Sequence, residues 1–212
     1  MPLQNRVTPM GEIVTDPARG TIMGNRGGAF HDDARALSAR RWVSRRWICC
    51  WLSFGGRRRT VMTPRRYTEL FFLDEATALA AGHRPCFECR RTEAMEFARL
   101  WSAARGLVAP AGASEIDQVL HAERVDPVTG AKRLNDGELD TMPIGAMVLA
   151  GPHRGPHLVL AESLRPWSIS GYGAPLPRPR GCVVTALTPP GTIGALKFGY
   201  VPMMHETSFD RS

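Results

Sequence analysis

Hydrophobic positions along the chain fall into short alternating runs set off by Gly and Pro, with helical spacing in only a few places. From Trp47 to Phe54 the pattern is that of a strand, with Ile48, Cys50, Leu52 and Phe54 on one face and Trp47, Cys49 and Trp51 on the other. Gly55-Gly56 reads as a turn, Arg57 to Met62 as the returning strand of a hairpin, and Tyr67 to Leu73 as a third strand. Asp74 is placed to cap a short helix over 75–81 that Gly82 ends. Thr92 opens a longer helix to about Arg105, with Phe97, Leu100, Trp101 and Ala104 as its apolar stripe. Residues 1–30 are rich in Gly, Pro and Thr and predict irregular structure with one short strand around Ile13.

The Ala/Gly/Pro stretch 107–114 reads as a linker, dividing the chain into domains 1–106 and 115–212. Beyond it the pattern predicts a helix from Glu115 to Arg124 and four strands, over 146–150, 157–161, 167–170 and 182–187, with a last helix over 192–198. That spacing suggests a small β-barrel or curled sheet. The Gly/Pro/Arg run 171–181 reads as a rigid exposed loop that could engage a protein partner. The expected fold class is α+β, a small zinc-stabilised amino-terminal domain followed by a β-rich barrel-like module.

Composition sharpens this picture. With 43% hydrophobic and 22% charged residues the chain is ordinary for a globular protein. No apolar run approaches the ~20 residues needed to span a bilayer, and no secretory signal opens the chain, so the expected location is cytoplasmic with no membrane partner. The net charge of +7 is local: ten arginines and no acidic residue fall within 34–66, leaving 17 basic against 20 acidic residues elsewhere. A clustered field of guanidinium forks suits phosphate.

Five cysteines, two of them adjacent and two in Cys86-Phe87-Glu88-Cys89, do not form a disulfide framework. A Cys-x-x-Cys after a helix-ending Gly82 and Arg84-Pro85 suits a Zn2+ knuckle, since two thiolates at that spacing reach one ion. A structural site needs two more ligands. Cys49 and Cys50 are the first candidates, although neighbours on a strand face opposite ways unless a bulge re-aims one; His31 is the alternative.

Residues 71–90, from Phe71-Phe72-Leu73-Asp74-Glu75-Ala76 through Ala81-Gly82-His83-Arg84-Pro85-Cys86 to Cys89-Arg90, resemble the second half of the Ada-type metal-binding domain. There a strand and helix lead into Ala-Gly-aromatic-Arg-Pro-Cys-x-x-Cys. The resemblance implies Cys86 and Cys89 as zinc ligands in a domain type found in DNA alkylation-repair regulators and attached to some nucleases. That family's first Cys-x-x-x-Cys pair, which holds its methyl-accepting cysteine, has no counterpart here, so alkyl transfer is not implied.

Arg40, Arg41, Arg45, Arg46, Arg57, Arg58 and Arg59, interleaved with tryptophans such as Trp51, flank the knuckle. Arginines neutralise phosphates and aromatics stack on bases. The expectation is therefore a zinc-containing nucleic-acid-binding protein, for DNA or RNA, in which the metal is structural. Two alternatives stand beside it. One is a nucleic-acid-processing hydrolase using His121 with Asp117 and Glu123, since Asp117 and His121 share a helix face. The other is a metal-stabilised protein-interaction module.

Overall fold

The opening segment is more regular than its composition suggests, because three short runs with apolar alternation become strands: β1 (Gln4–Val7), β2 (Ile13–Thr15) and β3 (Ile22–Asn25). The computed structural model describes residues 1–56, 60–150 and 155–209. With β4 (Ile48–Cys50), β5 (Leu70–Phe72) and β6 (Arg84–Pro85) these strands build a mixed sheet in the order β2-β1-β5-β3-β4-β6. The β1–β5 and β4–β6 pairs are parallel, and the others antiparallel. Gly24 lets β3 sit between its neighbours, for a Cβ there would lie 2.3 Å from the Ile48 carbonyl oxygen and 2.9 Å from the Phe72 ring.

The second sheet comprises β7 (Asn135–Glu138), β8 (Met147–Ala150), β9 (Gly155–Val159), β10 (Ser163–Ser168), β11 (Gly171–Tyr172), β12 (Leu176–Pro177) and β13 (Val183–Ala186). Its pairings are antiparallel throughout, in the order β11-β10-β9-β8-β13-β7, with β12 also on β10. The path is open from β11 to β7, so among the described residues the strands do not close the expected barrel.

Four helices complete an α+β fold: α1 (Glu75–Ala80), α2 (Arg91–Ala104), α3 (Ala113–Arg124) and α4 (Pro190–Lys197). Asp74 caps α1 as its sequence position predicts, accepting from the Thr77 backbone N–H at 2.8 Å. Gly82 follows at φ +89°, where a Cβ would also meet Arg124 Cδ at 2.5 Å. None of the described helices is long and apolar enough to cross a membrane.

The expected hairpin across Gly55-Gly56 is not formed by the described residues. The partners of β4 are β3 and β6, and Arg57, Arg58 and Arg59 lie outside the described residues. The run 171–181 is anchored more firmly than an exposed loop. Tyr172 is buried and donates its hydroxyl to Asp74 at 2.9 Å, while Arg178 donates to the carbonyls of Leu139, Met142 and Leu160. Residues 173–177 and 179–181 remain exposed.

Candidate metal centre

The parallel β4–β6 pair assembles the site. It aligns Ile48 with Arg84 and Cys49 with Pro85, and the Cys86 N–H then donates to the Cys49 carbonyl at 3.0 Å. Alternation along β4 turns Cys50 to the face on which the knuckle bends back. The knuckle is a tight turn, closed by Arg90 N–H donating to the Cys86 carbonyl at 3.0 Å and by Glu88 N–H donating to Cys86 Sγ at 3.4 Å. As a result the Sγ atoms of Cys50, Cys86 and Cys89 all lie within 4.8 Å of one another. Sulfurs sharing one tetrahedral ion at about 2.3 Å stand ~3.8 Å apart, so three free thiols this close could hold a metal ion.

Cys49 and His31 fall outside the cluster. Cys49 points to the opposite face of β4, fully buried among Val7, Ile22, Leu70 and Phe72, and its Sγ accepts from Arg90 Nη1 at 3.4 Å. No bulge re-aims it; the β3–β4 register runs evenly through Cys49 and Cys50. His31 is held by Thr68 Oγ1 at 2.7 Å and the Thr63 carbonyl at 3.3 Å.

The electrostatics of the three thiols follow from their contacts. Hydrogen bonding from Cys50, opposed by burial and helped by the backbone N–H groups of Cys89 and Glu88, brings the Cys86 thiol down to about 5. Cys89 is lowered too, again first through Cys50 and also through the Trp51 backbone. Cys50 is pushed up, first by its bonds to Cys86 and Cys89 and then by burial. Cys86 and Cys89 are thus the readier thiolates of the three, and a cation bound among them takes the place of the Cys50 proton.

Behind the knuckle, Arg90 ties the site to the core. It forms two 2.8 Å bonds to Glu75 and lies 4.6 Å over the Trp51 ring. Glu75 is satisfied further by the Tyr200 hydroxyl at 2.7 Å and the Met203 N–H at 2.9 Å. A buried carboxylate with four donors is fully paired, as burial of a charge requires. Arg84 similarly holds Asp117 through bonds of 2.9 and 2.7 Å.

Two depressions share Cys86 in their walls. A cavity of about 330 Å³ is lined by Cys50, Cys86 and Cys89 together with Trp51, Phe54, Phe71 and Glu69. Glu69 is buried; its Oε2 accepts from the Met62 N–H at 2.7 Å, whereas Oε1 has no hydrogen-bond partner among the described residues. A groove of about 610 Å³ on the other side of Cys86 is lined by Arg45, Arg46, Arg84, Ser114 and Asp117.

Of the described arginines in the basic segment, Arg35, Arg40, Arg45, Arg46, Arg65 and Arg66 are exposed and Arg41 half-buried. Arg40 and Arg41 turn back onto the carbonyls of Val43 and Ser38. The residues of the hydrolase alternative are not brought together as an acid–base pair. Asp117 is committed to Arg84, and Glu123 accepts from the Gly191 N–H at 2.8 Å and faces Arg105 at 3.7 Å. His121 packs edge-on to Trp42 and Trp47 and lies 3.4 Å from Arg124, and burial with that positive neighbour lowers it to about 4.

Glu69, Arg90 and Glu75 escaped the sequence reading. The signals available for them were slight: Arg90 adjoins Cys89, Glu75 follows the helix cap, and Glu69 falls within the expected third strand. Comparison with protein-family models, curated proteins and solved structures finds no match to the chain.

Proposed function

We propose that this is a zinc-thiolate protein that binds nucleic acid, with Cys50, Cys86 and Cys89 holding Zn2+ and Arg45 and Arg46 contacting the phosphate backbone. The observation that carries this reading is the position of Cys86, which walls both the aromatic cavity and the arginine-rimmed groove. Phosphates tracking along the groove lie beside a cavity whose Trp51, Phe54 and Phe71 supply flat apolar surface for an unstacked base. Metal analysis and a salt-dependent titration test it together. Purified protein contains one zinc per chain, and Cys86→Ser contains none. Affinity for single-stranded DNA or RNA falls with salt, and replacing Arg45 and Arg46 by Ala reduces the log K–log salt slope by about 1–2. Salt-independent binding, or an unchanged slope in the double variant, would refute the groove assignment.

A second reading rests on Glu69. Structural zinc sites are closed by four protein ligands, and among the described residues only three cluster here. A zinc ion held by Cys50, Cys86 and Cys89 with an open position would supply an activated water, and Glu69, which lines the same cavity and has its Oε1 unpaired, would serve as the base. Glu69→Gln then retains zinc and nucleic-acid affinity but loses at least a hundredfold in phosphodiester or base hydrolysis. Wild-type protein without turnover on DNA or RNA substrates would leave the binding reading alone.

A further inference from the structure

A second concentration of charge involves none of the cysteines. Arg26 and Arg124 are each only 2% exposed, and both guanidinium groups stack on the buried Trp47 indole, at 4.0 and 4.2 Å from its ring centroid. Their hydrogen-bond partners are all neutral. Arg26 donates to the Gly11 carbonyl at 2.9 Å and toward His83 Nε2 at 3.5 Å. Arg124 donates to the carbonyls of Gly82 and Arg45 at 2.7 and 2.6 Å. Lys132 Nζ donates to the Ala80 carbonyl at 2.6 Å. Arg124 Nε and His83 Nδ1 are buried with no partner among the described residues.

No described carboxylate forms an ion pair with any of the three cations. The acids nearest Arg124, Asp117 and Glu123, are engaged by Arg84 and Arg105. Glu12 is exposed on the rim. Buried charges are ordinarily paired, because an isolated ion loses its hydration without recompense. Burial of unpaired positive charge depresses each of these groups. Burial, followed by repulsion from Arg26 and Arg124, lowers Lys132 to about 7. Burial lowers Arg26 and Arg124 each to about 9, and His83 well below its usual value.

Arg26, Arg124 and Lys132 converge with Arg41, Trp42 and Trp47 on a cavity of about 180 Å³. That is below the ~300–1,000 Å³ of pockets that enclose a whole small molecule, but several times the ~30 Å³ share of one water. It admits a tetrahedral oxyanion. We propose that Arg26, Arg124 and Lys132 form a binding site for a phosphate group, carried either by inorganic phosphate or by the terminus of a nucleic-acid strand. Guanidinium donors and an ammonium group are the usual complement of such an anion, and its charge would supply the missing counterion. The site does not depend on the metal centre.

Calorimetric titration of the full chain tests this, using inorganic phosphate and short oligonucleotides that carry either a 5′-phosphate or a 5′-hydroxyl. The expected result is saturable phosphate binding that takes up a proton near pH 8, because the anion restores the charge on Lys132, and that weakens as pH rises above about 7. His83 and His121, both lowered by burial, stay neutral over that range, so neither histidine mimics the effect. Lys132→Met lowers phosphate affinity at least tenfold while leaving the denaturation midpoint unchanged or raised, since it removes an uncompensated cation; a packing role alone would lower the midpoint and leave affinity intact. Stronger competition by the 5′-phosphorylated strand than by its hydroxyl twin assigns the phosphate to a strand end. No competition from either assigns it to the free ion. Absence of saturable inorganic phosphate binding, or equal affinity in Lys132→Met, overturns the proposal.

Discussion

At the scale of single residues, the sharpest distinction in the molecule is between two adjacent cysteines. Cys49 and Cys50 have the same chemistry and nearly the same place, and the period of two along β4 sends one into the apolar core and the other to the knuckle. Cys49 is raised above its ordinary value, first by burial and then by Glu75, so it stays a thiol and behaves as a small hydrophobe. The two substitutions therefore separate. Cys50→Ala abolishes metal binding. Cys49→Ala keeps one metal per chain and destabilises the fold by about 1 kcal/mol, the scale of a small buried deletion, with loss of the 3.4 Å contact from Arg90. Metal content after gel filtration and urea denaturation measure both effects. Equal metal loss in the two variants would mean that strand alternation does not select the ligand.

Elements show how much of this was legible in the chain. The cap and end of α1 were readable because Asp74 and Gly82 act locally, through one side-chain acceptor and one left-handed backbone position. The faces of β4 were readable for the same reason, since alternation needs no partner. Pairing was not. β6 has only two residues, too few for any pattern, yet its parallel alignment with β4 is what brings Cys50 to Cys86 and Cys89. The strands β1 and β3 hid in a Gly-rich segment because their apolar positions matter only once β5 lies between them. Glu69 and Arg26 were invisible on similar grounds. A charged residue in sequence reads as surface, and only long-range packing makes it a buried one.

Over the whole molecule, the packing joins what the sequence divides at 107–114. The largest apolar cluster takes Leu79, Phe97, Leu100 and Trp101 from before that stretch and Ile116, Leu120, Leu139 and Val148 from after it. Hydrogen bonds cross it as well: Tyr172 and Tyr200 reach the acidic pair Asp74 and Glu75, Trp167 reaches Thr77, and Arg84 reaches Asp117. Contacts of this kind couple opening of the two sheets through α1, whose Leu79 packs in this cluster and whose Ala78 packs with Val7, Ile22 and Phe72 of the first sheet. Leu120, fully buried on α3, is the place to test it. Leu120→Ala costs about 3 kcal/mol through lost transfer energy and the cavity left behind. If the coupling holds, hydrogen exchange under native conditions speeds up by a similar factor in β3, β4 and β5 as in β8, β9 and β13. Acceleration confined to residues beyond 112 would instead mean that the first sheet keeps its own stability, and that the metal knuckle is held independently of the module behind it.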